Sequence, residues 1–405
     1  MKSRIVAPFI LIVVLCFKSL AQGDNLVLTF NKSILLEKNQ DYIGALKAMK
    51  ELKDSTCYEA ILRMGWLNYK AGFKKKSLSF YNRAIALKPK AIEPRLGLSY
   101  PAYILEEFSE LKNQYVKILE IDANNKSANY NLGLVYYYNK EYSKALPYFQ
   151  KLETFYPFDY DKNIYLAWTY LRLEKNTESE TVFNTVLLYS PDDASALEGM
   201  AALGKANAID EKFEKAFFKS YDLSSKSDYN GAINALKEVY DKSSYAINLR
   251  LGWLYYLQAQ HLESLNYYKI ACSLKPSSIE VKQGCVLPLA SLGNKTEELS
   301  THQSILQLDP NNSVSLYAVG KIYYEQKDYD NAYKHFDKVL SLYPFDYSGL
   351  LMMGWTHYQF GRTADSFNCF NKVLAQAPND KSAILGLNTR PLEEIKNQPK
   401  SIKAK

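Results

Sequence analysis

The stretch Asn131-Leu132-Gly133-Leu134-Val135-Tyr136-Tyr137, continued by Tyr142, Ala145, Leu146, Phe149, Leu152 and Pro157, decides the fold. Leu132, Val135 and Tyr136 share one helical face, and polar Asn139 closes their stripe. Tyr142, Ala145, Leu146, Phe149 and Leu152 trace a second stripe at the 3.6-residue period of an amphipathic helix. Gly133 and Ala145 are small where the two helices must approach closely. Pro157 ends the unit because proline cannot continue a helix. Helices of about 12–14 residues are marginal alone in water, so each must cover its stripe against a neighbour.

The same markers return about every 34 residues in both directions. Gly65, Ser77, Ala84 and Pro89 precede the stretch, and Ala167, Ser179, Val186 and Pro191 follow it. Further on come Gly252, Ser264, Ala271 and Pro276, then Gly320, Ala332, Val339 and Pro344, then Gly354, Ser366, Val373 and Pro378. A gapless duplication at an offset of 187 residues contains this period. Tyr156-Pro157-Phe158-Asp159-Tyr160 recurs unchanged as Tyr343-Pro344-Phe345-Asp346-Tyr347. Asp159 and Asp346 are placed to cap the next helix, with Phe158 and Phe345 as hydrophobic staples. Pro101 and Pro288, also 187 apart, are expected to disturb the same helix in each copy.

These units resemble the tetratricopeptide repeat, a helix–turn–helix of 34 residues, over roughly residues 25–390. The resemblance implies an all-α fold, an α-solenoid of about ten stacked repeats in two lobes related by the duplication. Five helix pairs take each copy to about residue 191 or 378, and a single helix follows at 193–204 and again at 380–388. The odd helix predicts a phase break near 204–212. The expected organisation is therefore a leader at 1–21, lobes at 22–204 and 205–390, and a basic tail at 391–405.

Lys2 and Arg4, the apolar run Ile5–Phe17 and the small-residue exit Ser19-Leu20-Ala21 read as a secretory signal peptide cut after Ala21. The run of about 13 residues is short for a membrane span. The mature chain is thus expected outside the cytoplasm: periplasmic or associated with the outer membrane, with secretion as an alternative. The stated net charge of +7 falls to +4 over 384 residues once Lys2, Arg4 and Lys18 are removed. That near-balance argues against nucleic acid as a partner. Membrane contact is expected to be at most peripheral, through the lysines of the tail. Cys57, Cys272, Cys285 and Cys369 have no counterparts at the 187 offset, so they read as small buried hydrophobes. If one disulfide forms, Cys272–Cys285 is the candidate pair.

In the family this chain resembles, ligands lie in a concave groove lined by the first helix of each pair. All four tryptophans, Trp66, Trp168, Trp253 and Trp355, fall at one groove place, just after the small residue. Tyr69, Tyr137, Tyr256, Tyr324 and Tyr358 fall three positions further on. Either these rings pack between adjacent helices, or they line a groove whose flat faces anchor an extended partner. The family's carboxylate clamp is not supported: beyond Lys70 and Arg172, the equivalent places hold Tyr138, Leu257, Glu325 and Gln359. The four histidines share no metal-ligand spacing, and no phosphate loop or nucleophile elbow is present. No cofactor and no catalysis are expected.

The sequence therefore points to a non-catalytic protein–protein interaction scaffold of the bacterial cell envelope that binds extended protein segments in aromatic-lined grooves. The alternative is a carbohydrate-binding repeat module in polysaccharide export or uptake, stacking sugar rings on the same residues. One groove per lobe would give two similar sites on one chain.

Overall fold

A computed structural model describes residues 25–50, 52, 56–205 and 211–389. The expected leader, the tail and most of the expected phase break lie outside them. The described residues form helices joined by short turns. The first copy has α1 (25–38) and α2 (Tyr42–Met49), α3 (Tyr58–Lys70) and α4 (Lys74–Leu87), α5 (Glu93–Ile104) and α6 (Phe108–Ile121). It continues with α7 (Lys126–Tyr138) and α8 (Tyr142–Phe155), α9 (Tyr160–Arg172) and α10 (Asn176–Tyr189), and the single helix α11 (Ala194–Ala202). The second copy repeats the series as α12 (Glu211–Ser225) and α13 (Tyr229–Lys237), α14 (Tyr245–Leu257) and α15 (His261–Leu274), α16 (Ile279–Ser291) and α17 (Lys295–Leu308). It ends with α18 (Ser313–Glu325) and α19 (Tyr329–Leu342), α20 (Tyr347–Gln359) and α21 (Thr363–Gln376), and the single helix α22 (Lys381–Asn388). Among the described residues these make ten pairs and two odd helices, as the two periods predict.

The sequence markers have direct physical roles. A Cβ built on Gly133 would lie 2.7 Å from the Phe149 ring, so only glycine lets α7 and α8 close on one another. Ser77, Ser179, Ser264 and Ser366 each donate their hydroxyl to the carbonyl of the small residue on the paired helix, at 2.7–2.9 Å. The turn inside each pair uses one left-handed residue; after Gln40 and Ser227 in the first pair of each copy, these fall 34 apart at Gly72, Glu106, Lys140 and Glu174, and again at Ala259, Gly293, Lys327 and Gly361. Asp159 and Asp346 accept from the backbone N–H of Lys162 (3.3 Å) and Gly349 (2.6 Å), which are the expected caps. Pro101 and Pro288 do not break their helices: α5 and α16 run through them, with both prolines buried. Cys57, Cys272, Cys285 and Cys369 form no disulfide, so the Cys272–Cys285 pair is not joined.

Packing divides the chain elsewhere than at the expected 22–204 and 205–390 lobes. One compact unit combines the chain up to Gln114 with the chain from Leu316 onward; the other is Tyr115–Ser315. Each unit therefore draws helices from both copies. In the first, Phe345 of the second copy packs against apolar clusters that include Phe30, Leu46 and Ala60, and Tyr58, Ile61 and Ala91, of the first copy. In the second, Phe158 and Leu188 of the first copy pack against Phe217, Ile247 and Leu251 of the second. Phe158 is thus not a local staple. The position where a staple would need an apolar partner is Asn163, whose amide donates to the Pro157 carbonyl instead.

Candidate functional site

The joint between copies is polar as well as apolar, and it is made twice. In the first unit, Glu93 Oε1 accepts from the Phe345 N–H (3.2 Å) and the Tyr58 hydroxyl (2.7 Å). In the second unit the residues 187 away repeat the contact: Glu280 Oε2 accepts from the Phe158 N–H (3.2 Å) and the Tyr245 hydroxyl (3.1 Å). Asn124 donates to the Leu308 carbonyl and Asn311 to that of Ile121, a reciprocal pair at 2.9 Å each.

Burial raises both carboxyls, and pushes Glu93 up to about 7 against the hydrogen bonds that lower it. The folded state then binds a proton that the unfolded chain has already released between pH 4.5 and 7. The Glu93 contribution is therefore present in full below the unfolded value and is lost as pH rises through 7. Glu93→Gln, which stays neutral, is expected to match the wild type near pH 4.5. It should be more stable above pH 7.5 by up to about 3 kcal/mol. Thermal melts of the two proteins across that range check this, and a gap that does not vary with pH contradicts it.

The nine expected groove residues do not behave alike. Trp168 stands edge-on to Phe183 at 5.5 Å and donates its Nε1–H to Ser195 Oγ at 2.8 Å. Trp355 repeats this with Phe370 at 5.1 Å and Ser382 at 2.9 Å. Both indoles are bound into the stack of helices. Tyr137 sits among Tyr138, Tyr142 and Tyr165, and Tyr324 lies against Tyr329 and accepts from Gln359. Tyr358 meets Trp355 at 5.8 Å. Trp66 and Tyr69 meet at 5.8 Å, with Tyr100 a further 5.8 Å from Tyr69. Trp66 also donates its Nε1–H to Glu37 Oε1 at 2.7 Å.

Trp253 differs from the other three. It is 39% exposed, stacks on Tyr256 at 5.8 Å, and its indole N–H meets no acceptor among the described residues. It lines an open cavity of about 410 Å³ in the second unit, with Phe158, Tyr221, Arg250, Tyr268, Glu280 and Gln283 among the other walls. The cavity lies at the joint between copies, because Phe158 comes from the first and the rest from the second. The Arg250 guanidinium lies 3.9 Å from the centre of the Tyr221 ring and donates to Ser224 Oγ (2.5 Å) and the Ser220 carbonyl (3.3 Å). Sequence reasoning missed Arg250, Tyr221, Glu280 and Phe158 as wall residues, since none lies at the expected groove places. Among the described residues no group of three His, Cys, Asp or Glu side chains is placed to hold a metal. No described helix is long and apolar enough to cross a membrane.

Two tetratricopeptide-repeat family models match the sequence, at residues 127–158 and 314–346. The two segments are 187 residues apart and each covers one helix pair of the regular series. This chain is a tetratricopeptide-repeat protein. A TPR repeat-containing protein of Methanocaldococcus jannaschii is 22% identical over 307 residues, which cover 73% of this chain and 45% of that protein. The tetratricopeptide-repeat chain thus spans less than half the length of that relative. Solved structures to which the chain is similar include a tetratricopeptide repeat protein from Parabacteroides merdae and MamA from Desulfovibrio magneticus. The first is 17% identical, covering 66% of this chain and 99% of its own, with a TM-score of 0.40. The second is 16% identical, covering 43% and 99%, with a TM-score of 0.38.

Proposed function

We propose that this tetratricopeptide-repeat protein is a non-catalytic interaction scaffold that holds an extended protein segment at the Trp253 cavity. The observation that supports this is the half-exposed indole of Trp253, set beside Tyr256 over a cavity at the joint between copies. A large, rigid aromatic side chain bordering a cavity of this size is the usual anchor of a recognition surface. What supports a setting in the cell envelope, periplasmic or at the outer membrane with secretion as the alternative, is the leader-like start.

Affinity capture from the native envelope, with wild type, Trp253→Ala and Trp168→Ala compared, tests this. A partner lost with Trp253→Ala and kept with Trp168→Ala supports the cavity. If Trp253→Ala keeps every partner, the cavity is not the docking site. A change in tryptophan fluorescence on adding neutral oligosaccharide, abolished by Trp253→Ala, would replace the protein segment with a glycan chain.

A further inference from the structure

The two copies differ where the tryptophan and arginine meet. In the first copy Glu37 fills the place between them. Its Oε1 accepts the Trp66 indole N–H at 2.7 Å, and its Oε2 pairs with the Arg63 guanidinium, also at 2.7 Å. One carboxylate thus engages both side chains, by a hydrogen bond to the indole and an ion pair to the guanidinium. The residue 187 further on is Ser224, while Arg63 and Trp66 are retained as Arg250 and Trp253. Serine is too short to bridge the pair and carries no charge. Its hydroxyl accepts from Arg250 Nη2 and donates to the Tyr221 carbonyl, and no contact joins it to Trp253. The second copy therefore keeps the donors of a carboxylate site and has lost the internal acid, at a place where a cavity of about 410 Å³ opens onto both.

We propose that the Arg250–Trp253 pair binds the side-chain carboxylate of an aspartate or glutamate carried by an incoming protein segment, in the manner that Glu37 is bound in the first copy. This rests on the reading of the cavity as a protein-docking site and names what it recognises. A charge-assisted, two-point contact of this kind is stronger than its neutral counterpart. Apolar neighbours of that acid would lie on Phe158, Leu249 and Leu287. Glu280, the one carboxyl in the wall, is already engaged by the Phe158 N–H and the Tyr245 hydroxyl. The site is distinct from the clamp weighed above, which would draw on other groove positions.

The test uses the full chain with 15N-labelled tryptophan, whose four indole N–H signals are assigned by single Trp→Phe changes. The probes are the blocked peptide Ac-Phe-Leu-Glu-Leu-Phe-NH2 and its glutamine twin. The glutamate peptide is expected to move the Trp253 indole signal and to bind about tenfold more tightly than the twin. Ser224→Glu, which rebuilds the first copy's arrangement, should move the Trp253 signal toward that of Trp66 without any peptide. It should also weaken the glutamate peptide by about tenfold or more and leave the melting temperature no lower. Equal binding of the two peptides, no response at Trp253, or an unmoved Trp253 signal in Ser224→Glu each overturns the proposal. If partner capture depends on Trp253 but the peptides bind equally, the docking reading stands and the acid is not what is recognised.

Discussion

Cleaving the chain between its two copies is expected to leave the fragments bound to one another. A protease site placed in residues 206–210 would separate the first copy from the remainder. If each copy folded by itself, the pieces would part at once. Instead each compact unit contains helices of both copies. Phe345 is held against first-copy clusters, Phe158 against second-copy ones, and the Glu93 and Glu280 contacts are both made across copies. Separation would expose these apolar faces together and break the backbone contacts at Glu93 and Glu280, so the nicked protein should elute as one species and come apart only on unfolding. Phe345→Ala removes the central, partly buried ring of one joint, at a cost of about 3 kcal/mol, the low end for truncating a phenylalanine. In the nicked protein that should weaken fragment association by about a hundredfold or more. Gel filtration with mass measurement decides this. Fragments that separate in native buffer at micromolar concentration would contradict the shared-unit architecture.

The same joint is self-complementary. The first copy carries both sides of it, Glu93 and the Phe158 backbone, Asn124 and the Ile121 carbonyl. Two first copies could satisfy one another reciprocally, as a two-fold dimer does. The intact chain holds the equivalent contacts in one polypeptide.

The helix pairs, the odd helices and the aspartate caps were legible in the sequence because they depend on contacts within about 34 residues. Gly133 faces Phe149, Ser77 faces Gly65 and Asp159 caps its own helix, so local periodicity reports them. Which copy packs on which was not legible. Phe158 and Phe345 sit in identical pentapeptides, and the acids they serve, Glu93 and Glu280, are duplicates too. Pairing within a copy and pairing across copies therefore satisfy the same pattern. The tryptophans were legible as a set but not as individuals. Trp168 and Trp355 are retained with Phe183 and Phe370 and with Ser195 and Ser382, a packing and hydrogen-bonding reason for their presence in both copies. At the other pair, attention to what both copies keep hides what one has lost. The change from Glu37 to Ser224, beside a retained arginine and tryptophan, was visible in the sequence and marks the open site.

A second large effect is expected at a pair that only one unit has. Glu59 is 5% exposed, and its carboxylate lies 2.6 Å from Lys372 Nζ, a contact that again joins first copy to second. Burial lowers the Lys372 pKa, but Glu59 more than offsets this, and the net direction is upward. Desolvation largely cancels the attraction in such a pair, so keeping it adds little net stability. Removing one partner is different, because a buried charge is left alone. Lys372→Thr is expected to cost about 3–5 kcal/mol. The other unit shows what replaces the pair: the residues 187 away from Glu59 and Lys372 are Ala246 and Thr185. Combining Glu59→Ala with Lys372→Thr copies that solution and should recover the loss to within about 1 kcal/mol of wild type. Amide exchange across α3 and α21 reads the effect where it arises. Protection there should fall in the single variant and return in the double one. A double variant as labile as the single would show that the lysine stem, rather than the stranded carboxylate, sets the stability of this joint.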